Sequence, residues 1–205
     1  MPNETYISIK SFATGQFKDK GSRFIGLAYP VRTEDEVKTI VADIKKKYHD
    51  ATHHCFAFVV GFDNRQIARC NDDGEPSSTA GKPIMGQLVS HRLQNILLVV
   101  VRYFGGTKLG VSGLINAYRE CAKITIDNAE KVELQRKMSA VIAFGYQQTN
   151  AVMQLLKNLA ADIKENSWEN DRMKINFCIN RGLAATVTEQ IQALKDVEIV
   201  WKEEV

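Results

Sequence analysis

The sequence predicts an α+β protein of two domains. The first, over residues 1–132, reads ββαββαβα, a mixed α/β or α+β arrangement of a sheet with helices on one side. The second, over residues 137–205, reads βαββαβ, the ferredoxin-like split arrangement. Three observations carry this prediction. At 205 residues the chain is long for one compact domain and comfortable for two. Runs with strand-like alternation or β-branched continuity trade places with runs at helical spacing. A polar, charged stretch over residues 129–135 separates the two series.

Taken in order, TYISIK (Thr5–Lys10) and SRFIGLAYPV (Ser22–Val31) read as strands joined by the basic connection KDKGSR. Thr33 and Glu36 make a capping box. Val37, Ile40, Val41, Ile44 and Tyr48 then follow at helical spacing, with Lys45–Lys47 at the negative end of the dipole. CFAFVVGF (Cys55–Phe62) and QIARC (Gln66–Cys70) flank Asp63-Asn64-Arg65 as a hairpin. Pro83 suits the first turn of a helix running through Met85, Leu88, Val89 and Leu93. NILLVVVRY has the length and branching of a strand buried on both faces. Val111, Leu114, Ile115, Tyr118, Ala122 and Thr125 keep helical period to about Asn128.

In the second series KMSAVIAFGY is a strand, and Thr149 is placed to cap a helix with Val152, Met153, Leu156 and Leu159 on its apolar face. ADIKENSWE and DRMKINFCIN are strands turning at Asn170-Asp171. Leu183, Ala184, Val187, Ile191 and Leu194 make the last helix, and VEIVWK the last strand.

Composition narrows the class. A net charge of +3 makes no strong case for nucleic acid, and no DNA is expected. Residues 1–136 carry 19 Lys/Arg against 15 Asp/Glu and residues 137–205 carry 8 against 9, so any basic surface belongs to the N-terminal part. The four cysteines include no CxxC pair and have no histidine at zinc spacing. Cys55, Cys121 and Cys178 lie in apolar patterns and read as buried thiols, which favours a reducing compartment. The N-terminus has no apolar signal region, and the longest apolar run is far short of the ~20 residues that span a bilayer. A cytoplasmic protein with no membrane partner is expected, and no cofactor.

Chemistry concentrates between Arg69 and Gly110, in two turns that each lead from a strand into a helix. In DDGEPSSTAGKP, three carboxylates (Asp72, Asp73, Glu75) crowd into four positions. Such hard ligands hold Mg²⁺ when a phosphate completes the shell, and they equally suit an exposed, solvated turn. Ser77, Ser78, Thr79, Gly81 and Lys82 follow at a helix N-terminus, a combination that binds anions and that simple capping also explains. In RYFGGTKLG, Gly105, Gly106 and Gly110 permit close backbone approach, and Arg102 and Lys108 bracket the turn. His53 and Cys55 share one strand face and His54 points to the other. A Cys/His nucleophilic pair is conceivable there, without an evident third group to orient it; local hydrogen bonding at the sheet end is the plainer alternative. Lys18, Lys20, Arg23, Arg69, Arg102 and Lys108 make a basic strip if the strand ends converge. Tyr103 and Phe104 add the aromatic faces on which single strands stack. Solvated charge and core aromatics are the bland alternative.

KGSRFIGLAYPV, ATHHCFAFVVG, NDDGEPSSTAGKPI and VVVRYFGGTKLGVSGLINAY, in this order, resemble the Impact family in its bacterial, YigZ-type two-domain form. The resemblance implies an N-terminal domain like the second domain of the fifth small-subunit ribosomal protein. It also implies a C-terminal domain like the last domain of translation elongation factor G. The family's eukaryotic member regulates translation by competing for a ribosome-associated coactivator of an initiation-factor kinase. A non-enzymatic RNA- or ribosome-associated regulator of translation is therefore the leading expectation. An enzyme or binding module for a nucleotide or other phosphorylated ligand, with Mg²⁺ at Asp72/Asp73/Glu75, is the alternative. A protein–protein regulatory module is a further one.

Overall fold

The computed structural model describes residues 4–204; the outermost residues of the two predicted domains, 1–3 and 205, lie outside them. The chain is α+β and divides into two compact units. One is Ile7–Leu134; the other is Gln135 onward together with the residues up to Tyr6.

The first unit is built on a five-stranded antiparallel sheet. Its strands are β2 (Ala13–Asp19), β3 (Ser22–Pro30), β4 (His53–Val60), β5 (Ile67–Asn71) and β6 (Ile96–Tyr103), in the order β2-β3-β6-β4-β5. Central β6 is apolar from Ile96 to Val101, and each of those side chains is fully buried. Alternation along a strand sends successive residues to opposite faces, so an unbroken apolar run requires cover on both. Helix α1 (Glu34–Lys47) covers the face bearing Leu97, Val99 and Val101 through Val37 and Ile44. Helices α2 (Gly81–Ser90) and α3 (Gly110–Asp127) cover the face bearing Ile96, Leu98 and Val100. The expectation of helices on one side only is thereby corrected.

A second correction concerns the first strand. The residues read as β1 (Thr5–Ile9) do not enter this sheet; they pair with β7 (Lys131–Gln135), from the polar stretch read as a linker. The place beside β3 is taken by β2, and the connection shrinks to Lys20-Gly21. The inward positions of β2 are Ala13, Gly15 and Phe17, with α3 so close to Gly15 that a Cβ would meet Thr125 at 2.8 Å, so alternation leaves Phe17 as the one large apolar signal. Half of the expected α1 capping box forms: Thr33 Oγ1 accepts the Glu36 N–H at 3.2 Å, but the Glu36 carboxylate accepts the Arg32 N–H instead of that of Thr33.

The second unit is a four-stranded antiparallel sheet, β8 (Lys137–Gly145), β9 (Asp162–Glu169), β10 (Arg172–Asn180) and β11 (Val197–Glu204), ordered β11-β8-β10-β9. Helices α4 (Thr149–Asn158) and α5 (Ala184–Gln192) close one face over Ile142, Phe144, Ile175 and Phe177. Asn170 and Asp171 both have positive φ, 49° and 60°, as a tight two-residue hairpin requires. Thr149 does not cap α4. It is the first helical residue, and its hydroxyl donates to the Tyr146 carbonyl.

Candidate functional site

Register brings both turns to one end of the five-stranded sheet. Arg102 of β6 lies opposite Phe24 on one side and His53 on the other, and Tyr103 lies opposite Arg23. The start of β3, the start of β4 and the end of β6 therefore coincide. The turn after β5 and the turn after β6 both emerge there, each leading into a helix.

The first turn is held by its own carboxylates. Asp72 Oδ1 accepts the Ala80 and Gly81 N–H groups at 3.0 and 2.8 Å, and Oδ2 accepts the Ser78 N–H at 2.9 Å. The Ser78, Ala80 and Gly81 N–H groups at this helix start, an anion-site candidate, are thus occupied by the protein's own anion. Burial pushes the Asp72 carboxyl upward, but these three backbone donors and nearby Lys82 outweigh it and hold it below the ordinary aspartate range. Gly81 is required by space: a Cβ there would meet the Asn71 backbone nitrogen at 2.9 Å. Thr79 is buried and donates to the Pro76 carbonyl at 2.6 Å, whereas Ser77 and Lys82 are exposed.

Asp73 faces elsewhere. Its carboxylate takes the Lys45 ammonium at 2.6 Å and the His54 backbone N–H at 2.8 Å. Burial raises its carboxyl and these two partners overcome that, leaving it below its ordinary value. Both histidines brace this residue. His53 Nδ1 lies 2.8 Å from the Asp73 carbonyl, which only accepts, so Nδ1 carries the proton. His54 Nε2 donates in the same way to the Tyr48 carbonyl at 2.9 Å, on the opposite face of β4.

Glu75 turns inward and joins the two turns. It is 8% exposed, and its Oε1 accepts from Arg102 Nη1 at 2.5 Å and from the Tyr118 hydroxyl at 2.8 Å. Arg102 is 6% exposed, with its guanidinium 5.5 Å from the Phe24 ring centre and 5.6 Å from that of Phe104. The three carboxylates thus engage three different sets of partners. Among the described residues no group of three or more His, Cys, Asp or Glu converges on a metal position. The Cys/His pair does not assemble either. Cys55 is fully buried, donates to the Asp72 carbonyl at 3.0 Å and lies 3.3 Å from the Tyr118 hydroxyl. Burial drives its thiol far above the usual range, and the neighbouring carboxylates add to that, so it stays protonated and is a poor nucleophile. Burial likewise raises the Tyr118 phenol.

The second turn packs backbone to backbone against the β2–β3 hairpin tip. A Cβ on Gly105 would lie 1.9 Å from the Gly21 carbonyl carbon, and the Gly105 N–H donates to Ser22 Oγ at 3.2 Å. Exposed Lys20 adjoins Gly21 on one side of this contact, and exposed Phe104, Gly106 and Lys108 belong to the turn on the other. Arg23 lies 4.6 Å from the Tyr103 ring centre, and the Tyr103 hydroxyl donates to Asp50 at 2.8 Å. Phe104 keeps 48% of its surface exposed.

The predicted basic strip is therefore shorter than expected. Arg102 is buried and paired. Arg69 sits on β5, at the sheet edge opposite β2 and roughly 19 Å away by strand spacing, bound to Glu34 at 2.6 Å. Lys20 and Arg23, near the β2–β3 tip, and Tyr103, Phe104, Gly105, Gly106 and Lys108, in and beside the second turn, belong to the two segments that meet at the Gly21–Gly105 contact. Sequence reasoning assigned Tyr118 to an apolar helix face and Lys45 to the helix dipole, missing that each reaches the first turn. The signal for Tyr118 is a phenol on a buried stripe, which needs a polar partner.

The family model described as the Impact N-terminal domain matches residues 20–126, which include every residue of both turns. The chain belongs to the Impact family. It is 40% identical over 138 residues to the Bacillus subtilis Impact family member YvyE, covering 67% of this chain and 62% of that one. It is 43% identical over 100 residues to the Escherichia coli Impact family member YigZ, covering 48% and 49%. An Impact family member from Haemophilus influenzae is 32% identical over 167 residues, 80% of each chain. A crystal structure of a hypothetical protein superposes at a TM-score of 0.77 with 25% identity, covering 98% of both chains. The Impact matches to YvyE and YigZ thus span less than two thirds of those relatives' length.

Proposed function

We propose that this Impact protein is a non-enzymatic, RNA- or ribosome-associated regulator of translation, and that it binds single-stranded RNA at the second turn. The observation that carries this reading is the packing of the Gly21 hairpin tip on Gly105, which brings the stretches bearing exposed Lys20, Arg23, Phe104 and Lys108 to one end of the sheet. Cations that track a backbone, beside an exposed aromatic face on which a base stacks, are the elements of sequence-tolerant single-strand binding. Family membership supports the translational setting, as does the expected likeness of the two domains to ribosomal and elongation-factor domains. In this reading Asp72, Asp73, Glu75, His53, His54 and Arg102 position the surface and do not touch RNA.

A phosphorylated small ligand with Mg²⁺ at the first turn is less well supported, because its three carboxylates and the Ser78, Ala80 and Gly81 N–H groups already have partners. Titration calorimetry with ATP and Mg²⁺ checks this, and the expected result is no heat. For RNA, fluorescence anisotropy with a labelled oligouridylate of about twelve nucleotides is the test. Affinity is expected to fall steeply with salt and to weaken on Phe104→Ala by about fivefold or more. Salt-independent binding, or binding unaffected by Phe104→Ala, overturns the assignment.

A further inference from the structure

The sheet face that α1 covers is left open over β2. Phe12 and, at alternate positions along the strand, Thr14, Gln16 and Lys18 are exposed, while Ala13, Gly15 and Phe17 turn towards α3. Register fixes one end of this strip. Lys18 lies opposite Arg23 and Arg23 opposite Tyr103, so a single cross-strand row runs from β2 to the strand that enters the second turn. Neither Lys18 nor Lys20 enters an ion pair among the described residues, and Asp19 between them alternates to the α3 face. Asp50, held by the Tyr103 hydroxyl, offsets part of the Arg23 charge. At the other end of the strip Phe12 packs on Tyr29 of β3, with ring centres 4.8 Å apart and planes tilted by 47°. Tyr29 alternates with Leu27, Ile25 and Arg23 onto one face. The apolar cluster beneath α1 takes in Tyr29 but not Phe12, which keeps 49% of its surface exposed. Core packing therefore does not account for this ring.

We propose that this strip continues the RNA surface: the Phe12–Tyr29 pair is a second stacking station, and a single strand runs along β2 from it to the Lys18–Arg23 row. The inference rests on the assignment of RNA to the second turn and adds where the strand goes from there. From Phe12 to Lys18 the extended chain measures about 20 Å, room for several nucleotides between the stations. A ring held on one side by Tyr29 is a fixed platform, so a base stacks on its free side with little further ordering. The Gln16 amide has no hydrogen-bond partner among the described residues and offers donors and an acceptor to a base or ribose. The Thr14 hydroxyl donates to the Gly26 carbonyl at 2.8 Å and keeps its acceptor capacity. Lys18 supplies charge for the phosphates. This order, aromatic, then neutral polar, then cationic, suits a nucleic acid better than a protein segment. Thr14 and Gln16 provide no apolar floor for side chains, and Thr14, Gln16, Lys18 and Arg23 present no carboxylate to repel phosphate.

The test is fluorescence anisotropy of the full chain with a labelled oligouridylate of about twelve nucleotides, on wild type, Phe12→Ala, Phe12→Trp and Phe104→Ala. Phe12→Ala is expected to weaken binding by about fivefold or more, and Phe12→Trp to keep it within about twofold of wild type. The indole added by Phe12→Trp should lose fluorescence on RNA addition beyond any change in wild type, a signature that a purely structural role for this ring does not produce. Because Phe12→Trp keeps an aromatic ring against Tyr29, its readout stands even if Phe12→Ala misfolds, which circular dichroism checks. If Phe104→Ala weakens binding and folded Phe12→Ala does not, the second station is overturned, the second-turn site stands, and the Phe12 ring is left to a protein partner. An unquenched indole at saturating RNA overturns the second station in the same way. If wild type binds no oligouridylate, both assignments fall.

Discussion

Glu75 shows how residue-level chemistry fixes this site. Its carboxylate was expected to be a solvated acid or a metal ligand; it is a buried acceptor for Arg102 and Tyr118. Removing one partner of a buried pair strands the other charge, at a cost of about 3–5 kcal/mol. Glu75→Gln and Arg102→Met are each expected to lower stability by about that much. Combining Glu75→Leu with Arg102→Met should cost less than the sum of the single changes, as urea unfolding would measure. Asp72 makes a prediction in pH. Its carboxyl sits below the ordinary aspartate value, near 3.9 when unfolded. Its stabilisation is therefore complete above about pH 4 and is lost as pH falls through the lower, folded value. Asp72→Asn should cost about 1–2 kcal/mol at neutral pH and narrow its gap to wild type under acid, read from thermal midpoints. A gap that widens on acidification contradicts the assignment. Neither role was legible from residue type, because a carboxylate's partner is set by the fold around it.

At the scale of elements, local signals served well where they were strong. The Thr33 cap, the apolar period of α3 and the Asn170-Asp171 turn each gave the right structure, because each is decided within a few residues. β2 failed that test. Its inward positions include a small alanine and a glycine, and its pairing with β3 under the cover of α3 makes it a strand. The glycines of the second turn were legible as glycines permitting close approach, but not what they approach. Gly105→Ala forces a Cβ into the Gly21 backbone. It should destabilise the protein by about 2 kcal/mol or more and raise hydrogen exchange at the β2–β3 tip. Wild-type exchange there would mean that the contact does not hold the hairpin.

At the scale of the whole molecule, the two-unit layout was visible because a polar stretch divides two apolar series. Which cations converge was not, because strand order separates Arg69 from Lys20 and Arg23, and burial removes Arg102. Charge also distinguishes the units. The helix-free face of the C-terminal sheet carries Arg172, Lys174 and Lys202 with Glu165, Glu169 and Glu198, and several of these pair with one another. So balanced a face should attract RNA weakly. Lys174→Ala with Lys202→Ala is expected to leave RNA affinity within about twofold of wild type, measured by the same anisotropy.

The most direct test is the salt dependence of oligouridylate affinity between about 50 and 200 mM, for wild type and for Lys20→Ala/Arg23→Ala/Lys108→Ala. Three phosphate contacts to a single strand predict that the triple variant loses about two units of log–log slope. An unchanged slope in the triple variant would contradict the account.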